Sequence, residues 1–80
     1  MAEYIAAAGH MVGDDFKAEG QTHRFTAVSD AEAIEEMWNW VGGLSALFPV
    51  THARLSEVTG HMDRRVVGIW PIDQAPRKTP

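Results

Sequence analysis

The sequence predicts an α+β domain: a four-stranded antiparallel sheet with a single helix packed on one face. The stretch from Ser29 to Leu44 has the apolar spacing and the end signals of a helix. Two strand-like stretches precede it and two follow it. The last two are joined by a short segment with a glycine, residues 59–63, which is typical of a hairpin. The predicted order is therefore strand, strand, helix, strand, strand.

Length and composition indicate one small domain. Of the 80 residues 45% are hydrophobic, which is ordinary for a globular protein. We assign residues 1–72 to this domain and expect residues 73–80, with two prolines and almost no apolar side chain, to form a disordered tail. The chain has no cysteine, which suits a reducing cytoplasm and excludes disulfides and thiolate zinc sites. We expect neither a signal peptide nor a membrane span, because no basic segment with a long apolar run is present.

The net charge of −4, from eleven acidic and seven basic residues, has the wrong sign for a nucleic-acid-binding protein. Such proteins meet phosphates with a basic patch, so we expect no direct binding of nucleic acid. The acidic residues gather in residues 13–21 and on the predicted helix. A solvated helix face is the simpler interpretation of this segregation. The functional interpretation is that the acidic face meets a basic surface of a protein partner.

The first strand is predicted over Tyr4–Val12. Its middle, residues 6–9, reads Ala-Ala-Ala-Gly and has low intrinsic strand propensity. Side chains this small would let a bulky helix face approach the sheet closely. A short helix is the alternative for this stretch, and Gly9 together with the glycine and aspartates that follow disfavours it.

The segment from Gly13 to Gln21 is polar, with two glycines and four charged residues. It is interpreted either as a long hairpin connection or as the frayed ends of two strands, with Phe16 folding back onto the core or standing exposed. Thr22–Val28 is the clearest strand prediction. Phe25 and Ala27 alternate there with polar neighbours, which makes one face apolar.

The predicted helix begins with Ser29-Asp30-Ala31-Glu32. This is a capping box, in which the Ser29 hydroxyl accepts from the Glu32 amide and the Glu32 carboxylate reaches back, while Val28 packs against the first turn. The apolar face carries Ile34, Met37, Trp38 and Val41. The opposite face carries Glu32, Glu35, Glu36 and Asn39. The glycine pair at 42–43 predicts that the helix ends near there, because glycine readily turns left-handed.

After the helix, residues 44–50 are predicted to form an apolar connection that ends at a proline, which restricts the residue before it to extended geometry. Thr51–Val58 is the third predicted strand, with Ala53 and Leu55 facing inward. Arg64–Ile72 is rich in β-branched residues and is the fourth.

No catalytic or metal-binding motif stands out. The four histidines, His10, His23, His52 and His61, show no pair at helical spacing, and no cysteine joins them. Thr22 and Thr51 each precede a histidine, but adjacent strand residues point to opposite faces and do not pair a nucleophile with its base. We therefore predict no catalytic residue, no metal ligand, no cofactor and no enzymatic activity.

Two tryptophans are candidates for a partner surface or a homodimer seam. Trp40 falls on the flank of the predicted helix, beside Glu36. Trp70 shares a sheet face with Gly68 and Ile72, opposite the neighbouring β-branched residues. One helix covers only one face of a sheet, and exposed tryptophan is a common binding anchor. The predicted partner-binding residues are Glu32, Glu35, Glu36, Trp40, Trp70, Asp14 and Asp15.

The order of elements resembles that of the small phage-encoded inhibitors of bacterial defence, the anti-CRISPR proteins. The likeness spans about Glu3 to Ile72. It rests on a strand ending in Arg24-Phe25-Thr26-Ala27-Val28, a cap like Ser29-Asp30-Ala31-Glu32-Ala33-Ile34 and a terminal hairpin. The same arrangement is similar to a large-subunit ribosomal protein fold of archaea and eukaryotes, whose members are strongly basic. The first resemblance implies a non-catalytic protein in the cytoplasm of a bacterial host that occludes a surface of a Cas nuclease or an RNA-guided surveillance complex.

We therefore expect a protein-binding module that acts by stoichiometric contact, and specifically a phage-type inhibitor of a CRISPR–Cas complex. The alternative is a small homodimeric structural or accessory subunit that buries its second sheet face against another copy. A small-molecule or metal-dependent enzyme is a third class, because histidines on strands can converge in ways that spacing does not reveal.

Overall fold

We describe residues 1–44 and 49–74 of a computed structural model of the chain. The elements are β1 (Ala2–Val12), β2 (Asp15–Ala18), β3 (His23–Ala27), α1 (Asp30–Leu44), β4 (His52–Gly60), β5 (Asp63–Pro71) and a 3-10 turn (Ile72–Gln74). The predicted α+β class, with one helix and an antiparallel sheet, is confirmed within these residues. The sheet has five strands rather than the predicted four.

The long strand β1 is the centre of the sheet. Along one edge, its residues 3–9 pair with β4, and β5 pairs with the far side of β4. The other edge of β1 is shared end to end: residues 2–6 pair with β3 and residues 9–12 pair with β2. Every pairing is antiparallel. One strand therefore organises all the others except β5.

The additional strand β2 lies inside the segment that was interpreted as a connection or as frayed ends. A tight turn at Gly13 and Asp14 brings it back onto β1, and Gly13 has a φ of 63°, the positive value that such hairpin turns require. Phe16 is opposite Met11 and is half-buried. The Arg54 guanidinium carbon lies 4.8 Å from the centroid of the Phe16 ring, so this ring is covered by a cation rather than by the helix.

The helix packs on one face of the sheet. Ala33, Met37 and Val41 are buried at successive four-residue steps, while Ile34 and Trp38 pack at their side and are half-buried. On the sheet, the core cluster consists of Tyr4, Ala6, Ala27, Ala53 and Leu55. The predicted inward positions on the third strand are therefore confirmed, and Ala6 represents the β1 alanines in this core cluster.

One prediction at the start of the helix is wrong, because Val28 is 69% exposed and does not pack against the first turn. At the other end the helix extends to Leu44, next to the glycine pair near which it was predicted to end. Neither Gly42 nor Gly43 has a positive φ, so the left-handed turn expected of them does not form. The middle of the predicted connection, residues 45–48, lies outside the described residues.

The last hairpin contains a bulge that changes which side chains face the helix. Leu55 pairs with Gly68 whereas its neighbour Ser56 pairs with Val66, so Val67 is the extra residue. Val67 packs against the core, and Val66 is 55% exposed on the other face. The predicted alternation of side chains between the two sheet faces is therefore correct for residues 68–72, after the bulge, but wrong for Val67, which was expected on the face opposite to Trp70. Residues 75–80 of the predicted tail lie outside the described residues.

Candidate protein-binding site: an acidic groove beside β3

A groove runs between the helix and β3. Its helix wall consists of Glu32, Glu35, Glu36 and Asn39, whose spacing places them on one face of α1. Its other wall consists of Phe25, Thr26 and Ala27. The volume of this acidic groove is about 570 Å³. Three of the seven predicted partner-binding residues are therefore gathered in one concave surface.

The β3 wall of the acidic groove carries an aromatic ring that is stacked on its neighbours. The half-buried ring of Phe25 lies 5.9 Å from the ring of Tyr4 and 5.1 Å from that of His23, measured between centroids. These rings lie in a row across β1 and β3 and are close to parallel. The groove therefore combines a stacked aromatic ring on its β3 wall with carboxylates on its helix wall.

The carboxylates of the wall are not equivalent. Glu36 is partly satisfied, since its Oε2 lies 2.9 Å from His23 Nε2. Within the described part of the chain, the side chains of Glu32 and Glu35 make no hydrogen bond or ion pair, and no lysine or arginine lines the groove. Two carboxylates are therefore available to an incoming cation.

The first turn of the helix is fixed to the sheet by a charged network. The Tyr4 hydroxyl donates to Asp30 Oδ1, and Arg65 Nη2 donates to both carboxylate oxygens of Asp30 at 2.8 and 3.0 Å. Arg65 Nε donates to Glu57 Oε1 at 2.9 Å. The bond to Asp30 is the main reason why the pKa of Tyr4 is raised, to about 12. The same bond, followed by that from Arg65, lowers the pKa of Asp30.

The two candidate tryptophans lie on opposite flanks of the helix. Trp40 stacks on His23, with ring centroids 5.6 Å apart. His23 also contacts Glu36, so Trp40 lies close to the end of the acidic groove at which Glu36 stands. Trp70 packs against Trp38, with centroids 6.2 Å apart and ring planes tilted by 58°. Both Trp40 and Trp70 are half-buried. Of the two, only Trp40 adjoins the groove.

The predicted residues Asp14 and Asp15 lie elsewhere, at the tip of the β1–β2 hairpin. Asp15 pairs with Val12, whereas Phe25 of the groove pairs with Tyr4. The separation along β1 is about 26 Å for an extended strand. The hairpin aspartates and the acidic groove are therefore separate charged surfaces.

A polar cluster that the sequence did not predict lies where β1, β2 and β4 meet. Thr51 Oγ1 donates to the Gly9 carbonyl at 3.3 Å and lies 2.9 Å from His52 Nδ1 and 3.4 Å from His10 Nδ1. His10 Nε2 lies 3.2 Å from Glu19 Oε2. Thr51 and His52 were expected to point apart, but Thr51 precedes β4 and is free of strand alternation.

The contacts of this cluster tie the start of β4 to β1. The single hydroxyl hydrogen of Thr51 has three possible acceptors, the Gly9 carbonyl and one ring nitrogen each of His10 and His52, of which His52 Nδ1 is the nearest. The Thr51 amide is also occupied, since it donates to the same Gly9 carbonyl at 2.9 Å. No group of three or more His, Cys, Asp or Glu side chains that could hold a metal occurs in residues 1–44 and 49–74.

The face of the sheet away from the helix is basic. Register places Arg24, Arg54, Arg64, Val66 and Ile69 on this open sheet face. Arg24 Nε pairs with Glu3 Oε2 at 2.6 Å. Burial, and secondarily the charge of Arg64, lower the pKa of Arg54. The molecule therefore carries opposite charges on its two sides, an acidic helix and an arginine-bearing sheet face.

No helix in the described ranges is long and apolar enough to cross a membrane. Comparison with protein-family models, curated proteins and solved structures finds no match to this chain. The acidic groove and the distribution of charge are the features of the chain that bear on its function.

Proposed function

We propose that this chain is a non-catalytic protein-binding module that occludes a basic surface of a partner, and specifically a phage-type inhibitor of a bacterial CRISPR–Cas complex. The observation that carries the proposal is the acidic groove. It places the carboxylates of Glu32 and Glu35, which make no ion pair within the described residues, beside the aromatic ring of Phe25. Five of the seven residues that line the groove are polar or charged, so the groove suits a charged protein surface rather than an apolar ligand.

The chemistry of the groove fits the kind of partner that the proposal names. RNA-guided nucleases hold their heteroduplex in a positively charged channel. A row of glutamates presented by a rigid helix would meet such a channel with complementary charge, which speeds association and fixes orientation. The network of Tyr4, Asp30 and Arg65 holds the first helical turn on the sheet, so the row is pre-organised rather than ordered on binding.

The alternative function, a homodimeric accessory subunit, is favoured by one observation. Val66 and Ile69 are 55% and 38% exposed on the open sheet face, which a second copy could cover. The charges oppose it. Facing two such surfaces would bring Arg54 and Arg64 of both copies together, and like charges at an interface are destabilising.

Capture from a bacterial lysate carrying an RNA-guided complex, followed by mass spectrometry, tests the proposal. We expect the tagged chain to retain a subunit of that complex in stoichiometric amount, and the pure chain to block DNA cleavage by the purified complex at an equimolar ratio. We also expect light scattering to give the mass of a monomer for the pure chain. A dimer that captures no such subunit contradicts the proposal and supports the accessory subunit.

A matched pair of variants locates the surface. Glu32→Lys with Glu35→Lys reverses the charge of the groove, and Asp14→Lys with Asp15→Lys makes the same change in net charge at the hairpin. We expect the first variant to lose capture by at least about tenfold, as close interfacial charge pairs do, and the second to retain it. Loss in the hairpin variant alone would assign binding to the other acidic surface.

A further inference from the structure

The outer edge of β3 is open. Within the described residues, β3 pairs only with β1, and none of its five residues makes a further backbone hydrogen bond. In an antiparallel pair, every second residue of an edge strand directs its N–H and C=O away from the neighbouring strand. Such an edge is a template for another extended chain unless it is covered or blocked.

The acidic groove lies along this edge rather than on one face of the sheet. Successive side chains of a strand point to opposite faces, yet the consecutive residues Phe25, Thr26 and Ala27 all line the groove. Since Thr26 belongs to the face opposite to that of Phe25 and Ala27, the groove reaches the backbone of β3, whose outer edge is open. The helix wall with Glu32 and Glu35 then stands over the position that an added strand would occupy.

The charge that often protects an edge strand is turned away from the groove. Arg24 is the only charged residue of β3 besides a histidine, and its register with Ile5 places it on the open sheet face. There its guanidinium is engaged by Glu3 at 2.6 Å. Among the described residues, the charged side chains that line the groove are all glutamates, so this side of the edge repels acidic chains and accepts basic ones.

We propose that the edge of β3 takes up an extended basic segment of a partner protein as an additional strand, with lysine or arginine at every second position facing Glu32 and Glu35. This inference rests on the proposed function and specifies how its groove is filled. Main-chain hydrogen bonds to the edge give affinity, and alternate side chains give specificity, as in other cases of strand addition. The residues of the added strand that lie between its basic residues point to the same sheet face as Arg24 and Thr26. Polar or small side chains suit these positions best.

Two other occupants fit less well. Nucleic acid would bring phosphates against the carboxylates of Glu32 and Glu35, which is repulsive. A second copy paired edge to edge through β3 would extend the sheet and place two acidic helix faces next to each other. The basic segment is the occupant whose charge and shape both match the groove.

Synthetic peptides of about nine residues test this inference with the intact chain, a length typical of a strand with short overhangs. The first alternates lysine with threonine, the second contains the same residues with the lysines grouped, and the third is the alternating peptide N-methylated at every second amide. Binding is measured by the chemical-shift changes of backbone amides in residues 23–27 and by fluorescence anisotropy. We expect the alternating peptide to bind and the other two to bind at least about tenfold more weakly, since register and main-chain bonds are both lost.

Equal binding of the N-methylated or the grouped peptide would overturn strand addition and leave only charge attraction. Absence of binding by any peptide would also overturn it. The variant with Glu32→Lys and Glu35→Lys should lose the alternating peptide. Failure of strand addition is distinguishable from failure of the proposed function, because lysate capture and nuclease inhibition depend on the whole partner and not on the peptide.

Discussion

The hydroxyl of Tyr4 donates a hydrogen bond of 2.7 Å to Asp30, and this contact joins the central strand to the first residue of the helix. The two residues are 26 positions apart in sequence. Because Arg65 binds the same carboxylate, three elements meet at Asp30. The orientation of the helix, and with it the wall of the acidic groove, depends on this point.

The alkaline titration of Tyr4 is the most direct test of the contact. The chain has one tyrosine, so phenolate absorbance reports Tyr4 alone. We expect a midpoint near 12 in the wild type and a return toward 10 in Asp30→Asn. The raised pKa means that the contact stabilises the fold fully below pH 10 and that this contribution is lost as the pH rises toward 12.

Circular dichroism across the same pH range shows whether the fold persists during that titration. Glu35→Gln is the matched control, because Glu35 makes no contact with Tyr4, and its midpoint should equal that of the wild type. Identical midpoints in the wild type and Asp30→Asn would show that the hydrogen bond does not form in solution.

The loss of folding stability at acidic pH should depend on Asp30. Its pKa in the fold lies below the ordinary value of 3.8 because Tyr4 and Arg65 donate to its ionised form. Its contribution is therefore present above pH 4 and is lost as the pH falls through the folded value. Urea unfolding should show Asp30→Asn to be less stable than the wild type at pH 7, with a difference that shrinks below pH 4. A difference that is independent of pH would contradict this.

Two glycines should respond in opposite ways to alanine. A Cβ at Gly9 would overlap the carbonyl oxygen of Lys17 on β2, so the backbones must separate. We expect Gly9→Ala to cost about 3 kcal/mol, as overpacking does. A Cβ at Gly43, on the helix, meets nothing within 4 Å. We expect Gly43→Ala to stabilise the fold by about 0.5–1 kcal/mol.

Thermal and urea unfolding measure both glycine variants. Amide exchange of residues 15–18 in Gly9→Ala should rise, because the pairing of β2 is the part that loosens. A neutral effect of Gly9→Ala would mean that β2 does not lie against β1 as described.

Two residues at the start of the helix have different roles: Ser29 stabilises the helix, whereas the side chain of Glu32 faces the groove. The Glu32 amide donates to Ser29 Oγ at 3.2 Å, as predicted. The reciprocal hydrogen bond, from the Ser29 amide to the Glu32 carboxylate, is not formed within the described residues. The Glu32 carboxylate lines the groove instead. We expect Ser29→Ala to lower the free energy of unfolding by about 1 kcal/mol. Glu32→Gln should change it by less than about 0.5 kcal/mol, the helix-dipole contribution alone. Equal losses in the two variants would mean that a complete capping box forms.

The helix and the clearest strands were predictable because their signals are local. Ser29 supplies a cap, and Met37 and Val41 recur at helical spacing, so no knowledge of the sheet is needed. Ala53 and Leu55 likewise alternate with polar residues along a single strand. In each case the pattern within one element determines which face is buried.

The strand β2 was not predictable in this way because it is only four residues long and buries almost nothing. Its sequence alternates polar and apolar residues, but Asp15, Lys17 and Ala18 are exposed and Phe16 is only half-buried. The turn at Gly13 brings β2 back onto β1, and the bare backbone of Gly9 lets it lie there. The first cause is local, whereas the close approach at Gly9 is tertiary and leaves no pattern in the sequence.

The candidate site was half predictable. Helical spacing places Glu32, Glu35 and Glu36 together, but the open edge of β3 depends on strand order, which the sequence did not give. The cluster around Thr51 depends on the register of β4 against β1 in the same way. The only sequence signal for it was the pair of neighbours, Thr51 and His52.

The position of β1 in the chain has a consequence for synthesis. This strand precedes all its partners, and its β4 edge is completed only after residues 52–58 have left the ribosome. Until then one edge of the central strand is unpaired, and exposed strand edges promote aggregation of incompletely folded chains. The run Ala6-Ala7-Ala8 has low strand propensity and little apolar surface, so it is a poor seed for aggregation. We therefore expect this run, whose Ala6 belongs to the core cluster under the helix, to limit premature pairing of the nascent chain.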